Sequence, residues 1–227
     1  MKAAWCLAAA ALALASGAGA AESVCFGTVA KGRIEGAVAL PPSGPNFAAY
    51  SMAGVAMGRT YVHSTVRDVV VAAYAALEKS APGKVFVYGE TGWASGGRIR
   101  PHRTHENGLS VDFFVPVTNA QGESVRVPGS LSNRFGYDLE FDADGRFESY
   151  TIDFAAIGQH LFELQRAAQA RGVGIALVIF DPPYHPKPFA TEHGPQLRDS
   201  LPFMKGRAWV RHDEHYHVDF AVPCKPE

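Results

Sequence analysis

Apolar residues recur at helical spacing from Thr65 to about Lys79, where Val66, Val69, Val70, Ala73 and Leu77 share one side. Thr65 with Asp68 reads as the N-terminal cap, and Ala81-Pro82-Gly83 ends the helix. A second helix is expected from its cap Asp153 to about Arg171. Phe154, Ile157, Leu161, Leu164 and Ala168 form its stripe, and Gly172 closes it. Short apolar runs at Lys84 to Gly89, Leu109 to Val117, Gly174 to Phe180 and His215 to Val222 read as strands. A hairpin is expected with arms Gly136 to Phe141 and Arg146 to Ile152 around the turn Asp142-Ala143-Asp144-Gly145. Leu40 to Pro45 and Asp181 to Pro186 are proline-stiffened loops, and a short helix is expected around Pro195 to Ser200. Strands and helices mix without regular βαβ alternation. The predicted fold class is therefore α+β, one domain with a central, largely antiparallel sheet flanked by helices.

The first twenty residues follow another pattern. Lys2 precedes a small apolar run, Ala3 to Ala15, and Ala18-Gly19-Ala20 forms an A-x-A cleavage site. This is the layout of a secretory signal peptide, so residues 1–20 are read as a signal and 21–227 as the exported domain. No later stretch approaches the roughly 20 apolar residues of a membrane span, so no transmembrane segment is expected. Removal of the signal takes Cys6 with it and leaves Cys25 and Cys224, which an oxidising compartment would join. A formal net charge of -1 provides no broad basic field, which argues against nucleic acid as a partner. The sequence is as compatible with a homodimer as with a monomer.

Candidate chemistry concentrates in two windows that hold five of the nine histidines: His102 and His105 with Asp112, then His212, His215 and His217. Strand alternation points His215 and His217 to one face. Asp112 interrupts an apolar strand, where an unpaired carboxylate is costly and a bound cation would remove the cost. His105 lies in a turn before that strand, so His105, Asp112 and His217 can converge on one ion with His215 beside it. Three N/O ligands and one open position is the arrangement of catalytic zinc. Other signatures are missing. His105-Glu106 does not continue to H-E-x-x-H, His212-Asp213-Glu214 has no P-C-x-x-C partner, and no G-x-S-x-G occurs.

The spacing H-x(6)-D at His105 to Asp112, with H-x-H at His215 to His217, resembles the LAS group of zinc peptidases, which includes lysostaphin-like, D-Ala-D-Ala and Hedgehog-like domains. Ser95-Gly96-Gly97, His102-x-x-His105-x(6)-Asp112 and His212-x-x-His215-x-His217 together resemble the penicillin-insensitive murein endopeptidases. That resemblance implies a Hedgehog- or DD-peptidase-like fold, a zinc cofactor, peptidoglycan peptide stems as substrate and a periplasmic location. It also implies His105, Asp112 and His217 as ligands, His215 as general base or oxyanion stabiliser, and His102 and His212 as further active-site histidines. Glu214 is a rival base, although strand alternation would turn it away from His217. Arg98, Arg100, Arg103 and Arg211 flank the clusters, and Arg100, Arg103 and Arg211 are candidates to hold stem carboxylates. The implied reaction is hydrolysis of peptide cross-links of the D-alanyl-diaminopimelate type. A D-Ala-D-Ala carboxypeptidase or dipeptidase, or a non-catalytic cell-wall peptide-binding module, are the alternatives. Arg98 to Pro101 and Asp213-Glu214 depart from the family pattern.

Overall fold

A computed structural model describes residues 22–206 and 208–227, so the expected signal peptide lies outside the described residues. The central sheet has five strands: β1 (Phe47–Ala49), β2 (Phe86–Tyr88), β3 (Ser110–Phe114), β4 (Gly174–Ile179) and β5 (His215–Ala221), in the order β4-β5-β3-β2-β1. Neighbours are antiparallel except β1 and β2, which run parallel. The α+β class with a largely antiparallel sheet is thus the observed one.

Strands β3 and β5 lie inside the sheet, and all five residues of β3 are buried. Their register sets Tyr216 against Phe113 and Val218 against Val111 on one face, and His217 against Asp112 and Asp219 against Ser110 on the other. The first face is covered by helices α1 (Ser64–Ser80) and α2 (Phe154–Gln169), which also pack on each other. Tyr74 of α1 meets Phe113 edge-on at 6.4 Å, and His160 of α2 is hydrogen-bonded to the Tyr216 hydroxyl. The second face carries the polar set. One sheet therefore separates an apolar core from a cluster of titratable groups.

Both long helices fall where the periodicity places them. Asp153 caps α2 as expected, accepting from the Ala156 amide at 3.0 Å. The cap of α1 differs: His63 accepts the Thr65 amide through Nδ1 at 3.1 Å, which moves the start ahead of Thr65. The short helix forms at Gly194–Ser200. The Asp181 to Pro186 loop winds into a 3-10 turn at Pro182–Tyr184 and a helical turn at Pro186–Phe189, because proline suits the first helical positions.

The hairpin is a correction. No strand covers Gly136 to Phe141, although Leu139 and Phe141 are buried. The alternation is real, but the Phe141 amide donates to the Asp213 carboxylate at 2.7 Å instead of to a neighbouring strand. The Asp142 turn does form, with Oδ1 accepting from the Asp144 and Arg146 amides. Pairing then occurs one turn later, between Arg146–Phe147 and Tyr150–Ile152, with Glu148 in the left-handed region at the reversal. Tyr150–Ile152 continues into a small sheet with Val117–Thr118, so the expected strand Leu109 to Val117 is split after Phe114.

The N-terminal hairpin Val24–Thr28 with Lys31–Glu35 had no sequence signal of its own. The disulfide Cys25–Cys224, with a sequence separation of 199, ties it to the C-terminal segment. Backbone hydrogen bonds from Lys225 to Cys25 and from Gly27 to Lys225 extend that seam. Among the described residues no helix is long and apolar enough to cross a membrane.

Candidate metal centre

Asp112 is the hub of the polar face, fully buried in the middle of β3. Four imidazoles surround it in two pairs. Its Oδ1 lies 2.9 Å from His217 Nδ1 and 3.2 Å from His105 Nε2. Its Oδ2 lies 3.6 Å from His102 Nδ1 and 3.9 Å from His215 Nε2. The sequence groups these histidines by window, whereas the fold takes one from each window to each carboxylate oxygen.

Each imidazole is held from behind by an oxygen. His217 Nε2 donates to Asp219 at 2.8 Å, His105 Nδ1 to the Thr91 carbonyl at 3.1 Å, His102 Nε2 to Glu90 at 2.7 Å and His215 Nδ1 to Glu214 at 2.8 Å. With the outer nitrogen donating, the inner nitrogen presents a lone pair toward Asp112. This is the outer-shell pattern of metal-ligating histidine. Tyr137 donates its hydroxyl to Asp112 Oδ2 at 3.1 Å and accepts from the Glu90 amide at 2.7 Å. Ser110 donates to Asp219 at 2.5 Å and accepts from the His105 amide at 3.3 Å, which links the surroundings of two imidazoles.

Local backbone explains how these side chains arrive. His105 has φ 71, and Gly108 has φ 77, so the chain reverses twice between the histidine loop and β3. At Gly108 a Cβ would stand 2.9 Å from the His63 amide nitrogen, so only glycine fits there. Tyr137 follows three left-handed residues, Arg134, Phe135 and Gly136, which swing its ring beneath Asp112.

The electrostatics call for a cation. His105 Nε2 is buried without a hydrogen-bond partner. It and His217 Nδ1 face one carboxylate oxygen, three acceptors with no donor between them once the outer nitrogens are protonated. Burial alone would raise the Asp112 carboxyl, but the surrounding imidazoles hold it well below the usual carboxylate range. Burial lowers His105, and also lowers His215 to about 4, so both are neutral at pH 7. Burial would lower His217 too, but Asp219 and Asp112 push it up, so a proton takes the cation's place there. With that proton displaced, two imidazole nitrogens and a carboxylate oxygen, with satisfied outer shells, fit zinc or a similar first-row divalent ion. His102, His105 and Asp112 also form a group whose ligand atoms all lie within 4.8 Å of one another. Both groupings share His105 and Asp112.

A cavity of about 500 Å³ opens on this cluster, lined by His102, His212, Glu214, His215 and His217. The His212 ring stands 4.6 Å from that of His215, and its Nδ1 donates to the Val210 carbonyl at 3.0 Å. Glu214 corrects the alternation reading: β5 begins at His215, so parity does not extend to Glu214, which lines the cavity with its carboxyl 2.8 Å from His215 Nδ1. Burial raises its carboxyl to about 8. Arg100 lines the cavity, Arg103 stacks on Trp209 at 5.6 Å, and Arg211 pairs with Glu140, Asp213 and Asp181 at 2.5, 2.8 and 3.6 Å.

Sequence reasoning missed Glu90, Tyr137 and Asp219. Asp219 was within reach, since it follows His217 by two on one strand and so shares its face. Glu90, beyond the end of β2, and Tyr137, in irregular chain, carried no pattern.

The buried histidine–carboxylate cluster at the floor of an open cavity on an α+β sheet is a candidate metal site. Residues 25–227, nearly the whole chain, match the family described as penicillin-insensitive murein endopeptidase. The chain belongs to that family, whose description names a hydrolase of murein. No curated protein matches it closely enough to report.

Proposed function

We propose that this protein is an exported, zinc-dependent endopeptidase that hydrolyses D-alanyl-diaminopimelate-type cross-links between peptidoglycan stems. The observation that carries the reading is the convergence of His105 Nε2 and His217 Nδ1 on Asp112 Oδ1, each backed by its own acceptor. His105, Asp112 and His217 would hold the ion. Zinc there would supply Lewis acidity, polarising an amide carbonyl and acidifying water to a pKa of about 7.

The remaining chemistry falls to side chains of the chain itself. His215, neutral and with Nδ1 held by Glu214, presents Nε2 to the cavity to take a proton from the attacking water. It then returns that proton to the leaving amine nitrogen. His102 and His212 flank it on the cavity wall and hydrogen-bond the substrate. Arg100, which has no ion pair among the described residues, is the readiest partner for a stem carboxylate. Arg103 and Arg211 support the same subsite, though Trp209 and three carboxylates already engage them. Export to the periplasm is supported by the Cys25–Cys224 disulfide and the signal-like first twenty residues.

The test is digestion of a cross-linked muropeptide dimer beside a linear pentapeptide stem, with products read by mass spectrometry. Cleavage of the dimer to monomers, abolished by chelator, is expected. His215→Ala should retain zinc and lose about 10²–10⁴ in rate. Release of D-Ala from the pentapeptide with the dimer intact would instead identify a carboxypeptidase, and no cleavage of either would identify a binding module.

A further inference from the structure

Five of the residues that line the cavity, Leu131, Arg134, Phe135, Tyr137 and Asp138, come from one irregular turn. Its backbone is unusual. Arg134 has φ 51 and Phe135 φ 60, both in the left-handed region, and Gly136 follows at φ 108. Glycine accepts that region freely, whereas two successive residues with a Cβ are strained in it. Asn133 holds the strain in place. Its Oδ1 accepts from the Ser130 amide at 2.7 Å and the Gly136 amide at 3.0 Å, and its Nδ2 donates to the Pro128 carbonyl at 2.6 Å. The Phe135 amide donates to the Ser130 carbonyl at 2.6 Å, and the Phe135 ring meets Tyr50 edge-on at 6.1 Å. Backbone strain fixed this firmly is characteristic of active sites and ligand clamps.

Most charged groups on the cavity wall are already committed. Arg59 holds both oxygens of Glu90 at 2.5 and 2.6 Å, Arg211 holds Glu140 at 2.5 Å, and Glu214 holds His215 at 2.8 Å. Arg134 and Asp138 differ. They meet through one contact of 3.5 Å, between side chains that are 57% and 47% exposed. A single contact open to water contributes little to stability, so it does not explain the strain and it opens at little cost. Once open, it leaves a guanidinium and a carboxylate side by side on the cavity wall.

A ligand that satisfies both groups at once carries a carboxylate and an ammonium on one carbon, the zwitterionic head of an α-amino acid. The Arg134 fork suits the carboxylate, and Asp138 suits the ammonium. Peptide bonds consume such heads along a chain, so a free one beside a scissile bond requires a diamino acid. Diaminopimelate has two amino-acid ends, and where it precedes the D-alanine of a cross-link one end is left unacylated. We infer that Arg134 and Asp138 form a subsite for that free end and so select donor stems that carry diaminopimelate. This rests on the proposed endopeptidase reading and names the feature of the substrate that the turn recognises.

Calorimetric titration with a stem peptide ending in diaminopimelyl-D-alanine reads the subsite without a cross-link to cut. A comparison peptide carries a carboxamide in place of the carboxylate at the free end. The wild type should bind the zwitterionic peptide at least tenfold more tightly than the amide. Arg134→Gln should lose at least tenfold for the zwitterionic peptide and nothing further for the amide, because both changes remove one contact. Asp138→Asn should behave the same way with a peptide whose free amine is acetylated. Equal affinity of the wild type for the three peptides, no binding of any of them, or losses that add between variant and peptide would overturn the subsite. If a variant does not fold by circular dichroism, the wild-type preference among the peptides decides alone. Digestion of a cross-linked dimer by the same preparation separates the two readings. Discrimination without cleavage would overturn the endopeptidase and leave the subsite, and cleavage without discrimination would do the reverse.

Discussion

His217 sits directly across from Asp112 between the two inner strands of the sheet, with Nδ1 2.9 Å from a carboxylate oxygen. Register alone achieves this. A slip of one residue would turn either side chain into the apolar core against α1 and α2. The pairing of His217 with Asp112 is therefore as firm as the hydrophobic pairing of Val111 and Phe113 with Val218 and Tyr216.

Asp219 is expected to control metal affinity without touching the metal. It holds His217 Nε2 at 2.8 Å and is itself held by Ser110 at 2.5 Å. Asp219→Ala removes the acceptor that orients the ring. Zinc affinity should fall about 10–100-fold, the usual cost of losing such a partner. Chelator competition reads this directly, and an unchanged affinity would assign Asp219 a purely structural role.

His160 is expected to set part of the acid limb of stability. It is buried between Tyr74, stacked at 5.2 Å, and Phe113, edge-on at 4.7 Å. Burial lowers its pKa to about 3, against an ordinary value of 6.5. Between those values the unfolded chain binds a proton that the native chain refuses, so stability rises with pH across the window. It is lost as pH falls below about 6.5, by about 1.4 kcal/mol per pH unit from this group. His160→Gln keeps a hydrogen-bonding partner for Tyr216 and removes the titration. Urea denaturation from pH 6.5 to 4.5 should show a shallower decline in that variant, and equal slopes would contradict the assignment.

The disulfide is expected to matter for stability more than for the metal. It closes the Val24–Thr28 hairpin onto the C-terminal segment, and Asn107 of the histidine loop donates its amide to Cys224 Sγ at 3.5 Å. Replacing both cysteines with serine should cost about 2–5 kcal/mol while zinc stoichiometry is preserved. Denaturation and metal analysis of the same preparation separate the two effects.

Long periodic segments were the legible part of the fold. Val66 to Leu77 and Phe154 to Ala168 announce their helices because one face of each is apolar. The strand with His215 and His217 was readable for the same reason, and parity set those two histidines on one face. The Gly136 to Phe141 arm misled because burial alternates there without a partner strand, an Asp213 carboxylate satisfying the Phe141 amide instead. Glu214 misled because alternation was extended one residue past the start of β5. Tyr137 and Glu90 could not be read at all. Their positions depend on the left-handed turn at Arg134 and Phe135 and on an ion pair with Arg59, a contact across 31 residues that no local pattern encodes.

Zinc titration of the chelator-stripped protein, followed by cleavage of a cross-linked muropeptide dimer, tests the central claim most directly. Activity should be absent from the stripped protein, rise in proportion to added zinc and level off at one zinc per chain, with Asp112→Asn silent throughout. Full activity in the stripped protein, or an active Asp112→Asn variant, would contradict a metal centre built on Asp112.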